Sequence, residues 1–266
     1  MACFSISINS KAMRGQTKVS IILPILEGHD DRIAEGEKFQ TLWLLHGGFG
    51  DDTDYMRNTA IAHWAIKHKL AVIMPQVGNS FYSDMPDGSG DCFTYVTEEL
   101  PALLRKYFPL SDKREDNFVI GLSMGGFGAA KIAFNYPDRY GAVGLMSTGP
   151  LSPLQLSEVL GGGKGSVLDL DRLFGGADKI PGSINDPWYL LEQAVKNGTE
   201  LPMIYDCCGT EDFSFHKYLE FKAFAQNLGL DITFAESPGA HTWDFWNEYL
   251  PKIIEWLPLK NRNFAE

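Results

Sequence analysis

Residues 117–135 constrain this chain more than any other stretch. An apolar run, NFVIGL, meets Ser123 and continues as MGGFGAAKIAFN, with glycine at 121, 125, 126 and 128. Apolar residues before the serine read as a buried strand, and those after it as a helix. The glycines at 121 and 125 let strand and helix pack closely about the turn between them, and those at 126 and 128 thin the helix beside it. A serine in a G-x-S-x-G turn of this kind stands on a strained apex at the end of the strand, where its hydroxyl is presented as a nucleophile.

The rest of the chain suits such a junction. CFSISIN (3–9) alternates apolar and polar residues, and TKVSIILPIL (17–26) is β-branched and apolar, so both read as strands. FQTLWLLHGG (39–48) is a continuous apolar run ending in glycine, the pattern of a central strand buried on both faces. From there helices and strands alternate: helix over 58–69, strand over 70–79, helix over 94–108 with Pro101 near its first turn, the serine junction with its helix stopped by Pro137, and strand over 142–149. The alternation ends with strand over 201–213, helix over 215–228, strand over 231–237 and helix over 243–256. This succession predicts one α/β domain over 1–266, with a mostly parallel central sheet flanked by helices on both faces. Residues 150–200, rich in glycine, proline and short helical pieces, break the rhythm. They read as an insertion that covers and shapes a pocket, or as a plain surface connection.

A serine hydroxyl needs a base within hydrogen-bond reach. Of His29, His46, His63, His68, His216 and His241, the last lies in SPGAHTWDFW, between the final strand and the final helix, at the carboxyl edge where Ser123 also sits. His63 and His68 fall on a polar helix and read as solvated, His29 lies in a charged loop, and His46 reads as a support beside the pocket. The orienting acid should follow a strand between Ser123 and His241, and IYDCCGTEDF offers Asp206, Glu211 and Asp212. Asp206 falls in the last turn of the strand, whereas Asp212 comes after the turn at Gly209, so the spacing favours Asp212 as the residue that fixes the imidazole tautomer. An oxyanion site needs two backbone N–H groups: one from Met124, the other from the loop LLHGGFG (44–50), where Gly47 and Gly48 permit close approach. Trp243, Phe245 and Trp246 recur at helical spacing and read as core.

Other chemistries find no support. There is no HExxH and no Cys/His cluster at ligand spacing, and GGFGDD and LGGGKGS fit no phosphate-cradling fingerprint, so neither metal nor cofactor is expected. A formal net charge of −11 repels nucleic acid and anionic membrane, and no apolar run approaches the ~20 residues of a membrane span. Lys11, Arg14 and Lys18 interrupt the first residues before an export segment develops. Cys3, Cys92, Cys207 and Cys208 form no CxxC pair and read as buried free thiols, so a cytoplasmic protein is expected.

Taken together, LLHGGFGDD, FTYVTEELPALLRKYFP, VIGLSMGGFGAAKIAFNYPDRYGAVGLMSTG, CCGTEDF and HTWDFW resemble the esterase D-like branch of the α/β hydrolases. That branch holds tributyrin-type esterases, S-formylglutathione hydrolases, feruloyl and acetylxylan esterases and mycolyltransferases, and the tributyrin-esterase type is nearest. The resemblance covers about residues 15–257. It implies an α/β-hydrolase fold, a triad of Ser123, Asp212 and His241, and the amides of Gly48 and Met124 as oxyanion donors. The activity implied is that of a cofactor-free serine carboxylesterase acting on a small-molecule, short-chain acyl ester through an acyl-enzyme, with a homo-oligomer left open. The alternatives are an acetyl or feruloyl esterase of plant carbohydrates, or a catalytically silent binding module on the same fold. The formylglutathione enzymes usually carry S-G-L-T-C where this chain has His46-Gly47-Gly48-Phe49-Gly50, so a dedicated glutathione thioester role is not expected. Mycolyltransferases are exported, and no export signal is read here.

Overall fold

The computed structural model describes residues 1–25 and 36–262, which leaves His29 and its charged loop outside the described residues. The strands are β1 (Ala2–Ser10), β2 (Gly15–Leu23), β3 (Gln40–Leu45), β4 (Leu70–Pro75), β5 (Asn117–Leu122), β6 (Ala142–Met146), β7 (Met203–Gly209) and β8 (Ile232–Ser237). They form one eight-stranded sheet in the order β1-β2-β4-β3-β5-β6-β7-β8. β2 runs antiparallel to both β1 and β4, and every pairing from β4 to β8 is parallel.

The helices are α1 (Asp54–Asn58), α2 (Ile61–Lys67), α3 (Cys92–Thr94), α4 (Leu100–Tyr107), α5 (Met124–Asn135), α6 (Pro153–Leu160), α7 (Leu170–Phe174), α8 (Pro187–Asn197), α9 (Phe215–Asn227) and α10 (Trp243–Trp256). They cover both faces. Alternation along the strands divides each apolar run between two cores: Trp43, Leu45 and Val119 join the core that holds residues of α5 and α9, while Leu42, Leu44 and Ile120 join the one that holds residues of α2 and α10. A strand fed on both faces has no room for a polar side, which is why the central runs read as continuous apolar stretches.

One helix boundary needs correction. The helix expected over 58–69 begins earlier and breaks, because Thr59 is extended and turns its hydroxyl back to the Tyr55 carbonyl (2.6 Å), separating α1 from α2. Pro101 does lie in the first turn of α4, and the chain reaches it from α3 through a π-helical stretch, Tyr95–Glu99. The missing Pro101 N–H leaves the Thr97 carbonyl without its usual donor, and Arg139 Nη1 donates to it instead (3.2 Å). Residues 150–200 do hold short helices, and these are well capped. Ser152 and Gln155 form a reciprocal capping box on α6, and Gly161 closes that helix in the left-handed region. Cys3 is exposed on the edge strand, whereas Cys92, Cys207 and Cys208 are buried, and all are free. Among the described residues no helix is long and apolar enough to cross a membrane.

Candidate active site

β5 is buried at all six positions and stops at Ser123, whose backbone stands at φ 54°, ψ −120° before α5 begins at Met124. A non-glycine residue pays strain for that conformation, and the surrounding packing has to hold it there. The packing leaves no choice: a Cβ at Gly121 would strike the Gly125 carbonyl, and one at Gly125 would strike the carbonyls of Leu45 and His46. Leu45 closes β3, so the same close approach that shapes the serine turn also seats the 46–50 loop beside it.

β7 and β8 lie two and three strands from β5 in the sheet, and the loops that follow them reach back toward this turn. After Gly209 the chain reverses, with Asp212 N–H on the Gly209 carbonyl (3.0 Å), and Thr210 N–H joins it to the end of β8 at Ser237 (2.9 Å). The structure brings together three residues named from the sequence: His241 Nε2 lies 2.9 Å from Ser123 Oγ, and His241 Nδ1 lies 2.8 Å from Asp212 Oδ2. Asp212 Oδ1 accepts from the N–H (2.8 Å) and hydroxyl (2.7 Å) of Ser214. Burial pushes the Asp212 carboxyl up, but the His241 and Ser214 contacts outweigh it and hold the group below its ordinary range. The rival acids go elsewhere. Glu211 accepts from the Gly239 N–H and so ties down the backbone ahead of His241. Asp206 is fully buried inside β7, neither carboxyl oxygen has a hydrogen-bond partner among the described residues, and burial pushes its pKa well above the carboxylate range.

The imidazole is held between rings, Phe213 at 4.4 Å and Trp246 at 5.0 Å between centroids. Trp246 also donates its indole N–H to Ser147 Oγ (2.9 Å). Ser123, His241, Trp243 and Trp246 line a cavity of about 300 Å³ whose walls include Leu151, Leu156 and Val167 from the 150–200 stretch. Phe245 is core as expected, but Trp243 and Trp246 also face this cavity, which their helical spacing did not reveal.

His46 is buried and accepts from the Val77 N–H at Nε2 (3.2 Å), which leaves the ring proton on Nδ1, 2.7 Å from the Gly47 carbonyl. Burial lowers its pKa and keeps it neutral. The Gly47 carbonyl also accepts from Gly50 N–H (3.2 Å). Because the peptide is planar and trans, pinning that carbonyl turns the Gly48 N–H the opposite way. Gly48 and Met124 both border the cavity, and among the described residues neither N–H has a hydrogen-bond partner. The arrangement offers a base-paired hydroxyl and two unengaged donors around one small apolar space.

His63 and His216 are exposed, but His68 is not the solvated side chain expected: it is buried, stacked on Trp64, with Nε2 3.4 Å from Glu255 of α10. The sequence reading missed Ser214, although Asp-x-Ser at a strand end is the spacing of a side-chain-capped turn. It also missed Tyr55 and Tyr82, whose hydroxyls donate to the carbonyls of Leu45 (3.1 Å) and His46 (3.0 Å), and for these no local signal exists.

Comparison with known proteins places the chain. The family described as "Putative esterase" matches residues 10–257. An acetyl esterase of Caldicellulosiruptor saccharolyticus is 31% identical over 97% of this chain and 98% of that protein. The fluorophosphonate-binding serine hydrolase F of Staphylococcus aureus, solved with substrate bound, superimposes with a TM-score of 0.85 at 30% identity, covering 96% of this chain and 98% of the other. An S-formylglutathione hydrolase of the same organism reaches 0.83 at 30% identity over 96% and 98% of the two chains.

Proposed function

The chain belongs to this esterase family and is a serine esterase of the α/β-hydrolase fold, and from that premise we propose that it hydrolyses small short-chain acyl esters through an acyl-enzyme on Ser123. Ser123 Oγ attacks the ester carbonyl while His241 Nε2 takes its proton, and Asp212 holds the ring and stabilises the imidazolium. The N–H groups of Gly48 and Met124 receive the oxyanion, whose charge develops only in the transition state. His241 then returns the proton to the departing alcohol, and a water deprotonated by the same nitrogen releases the acid. The observation that carries this reading is the 2.9 Å contact of His241 Nε2 with Ser123 Oγ beside two N–H groups that have no hydrogen-bond partner among the described residues.

Cavity volume supports a small acyl group, and we read 150–200 as a pocket-shaping insertion on the strength of Leu151, Leu156 and Val167 in its wall. Acetyl esters of carbohydrates are the second reading, favoured by the acetyl esterase relative. The S-formylglutathione hydrolase likeness brings a thioester back among the substrates to test, against the expectation drawn from residues 46–50. Turnover of p-nitrophenyl esters of increasing chain length, set beside acetylated sugars, methyl ferulate and S-formylglutathione, separates them. Ser123→Ala should fold normally and lose roughly 10⁴-fold or more in kcat on whichever substrate is best. Retention of a tenth of the wild-type rate would remove Ser123 from the role given it here.

A further inference from the structure

Lys131 lies in the middle of α5, fully buried. Its Nζ donates to the Tyr82 carbonyl (3.0 Å) and to Ser83 Oγ (2.8 Å), and sits 4.6 Å from the centroid of the Phe93 ring. Burial pulls the amine down to about 7, with Asp84 and Cys92 nearby drawing it back up. An apolar side chain of similar length would fill the same space without desolvating a cation, so packing alone does not account for an amine there.

What the amine grips is a strained segment. Phe81 and Tyr82 are consecutive non-glycine residues, both at φ 49°, a pairing that persists only where its surroundings over-determine it. The Tyr82 ring lies against α5 at Gly128, where any side chain would collide with it. Ser83 Oγ passes the contact on by donating to the Phe81 carbonyl (3.1 Å). From the same segment three bonds cross to residues 46–49: Val77 N–H to His46 Nε2 (3.2 Å), Tyr82 Oη to the His46 carbonyl (3.0 Å), and Phe49 N–H to Asn79 Oδ1 (2.7 Å).

We infer that Lys131 is a positioning residue for the Gly48 amide: it fixes the Phe81–Tyr82 turn, the turn fixes His46, and His46 fixes the Gly47–Gly48 peptide. The inference rests on the oxyanion role proposed for that peptide. Lys131 touches no substrate, and its effect is confined to the step in which negative charge reaches the oxyanion donors.

The test uses Lys131→Met and Tyr82→Phe, singly and together, with p-nitrophenyl acetate as substrate and phenylboronic acid as a reversible tetrahedral analogue. Loss of one oxyanion donor outright costs about 10²–10³ in kcat, so a displaced donor should cost roughly tenfold in kcat for Lys131→Met, with KM within about twofold. Boronate affinity should fall in parallel with kcat/KM, and the double variant should be no slower than the slower single, because both act through His46. If Lys131→Met proves insoluble, Ser83→Ala, which deletes one of the two acceptors, takes its place in the cycle. Full kcat in Lys131→Met, additive losses, or a loss confined to KM would overturn the inference. Ser123→Ala run alongside separates the two levels: an active Ser123→Ala enzyme sinks the catalytic reading itself, whereas an inert one beside a full-rate Lys131→Met enzyme sinks only this.

Discussion

Asp206, Glu211 and Asp212 belong to one short stretch at the end of β7, yet the backbone sends them to three environments. Asp206 points into the core from within the strand, Glu211 holds the Gly239 amide, and Asp212 meets the imidazole at 2.8 Å. Asp212→Asn should therefore lower kcat at least 10²-fold more than Asp206→Asn, since an amide in that place stabilises the wrong ring tautomer. The reverse ranking in steady-state assays would mean that the acid has been misassigned. Choosing among these carboxylates from sequence was feasible because a turn glycine marks where a strand stops, and a group past the stop is free to reach sideways. Ser214, two residues on, was equally local but went unread, because its partner is the far side of the same carboxylate.

β7 carries a liability that its neighbours do not. The Asp206 carboxyl is buried, has no hydrogen-bond partner among the described residues, and its pKa is raised, so the folded chain holds a proton there that the unfolded chain releases. The stability this proton supports is present below the unfolded carboxyl value of 3.8 and is lost as pH rises through the higher folded value. Asp206→Leu should accordingly raise the melting temperature at neutral and mildly alkaline pH and gain nothing near pH 3.5; parallel melting curves for the two proteins across that range would refute it. Helices were less legible than strands. Thr59 breaks α1 from α2 by a side-chain bond that composition does not encode, and the π-helical stretch before Pro101 depends on Arg139, far along the chain, to occupy the Thr97 carbonyl. The capping box Ser152–Gln155 was readable and was passed over among the glycines that follow it.

Across the molecule, the parallel sheet with helices on both faces follows from apolar runs that any reader of the chain would find, and the nearness of Ser123, Asp212 and His241 from their places after strand ends. The cavity wall does not follow. Leu151, Leu156 and Val167 come from a stretch whose composition fits a surface connection as well as a lining, and composition does not show that these three border the cavity. Enlarging that wall should shorten the acyl chains the enzyme takes: Leu156→Trp should leave acetate ester turnover within about threefold while lowering kcat/KM for hexanoate esters at least tenfold. An unchanged chain-length profile would place the acyl group elsewhere. The strained backbone of the molecule is also unevenly spread, for Phe49, Phe81, Ser123 and Ser147 all have positive φ and all border the same cavity. Each such residue carries a conformational cost of about 1–3 kcal/mol. Selecting this enzyme for heat tolerance would therefore meet a built-in conflict, because relaxing any of these four residues would gain stability while reshaping the cavity they border.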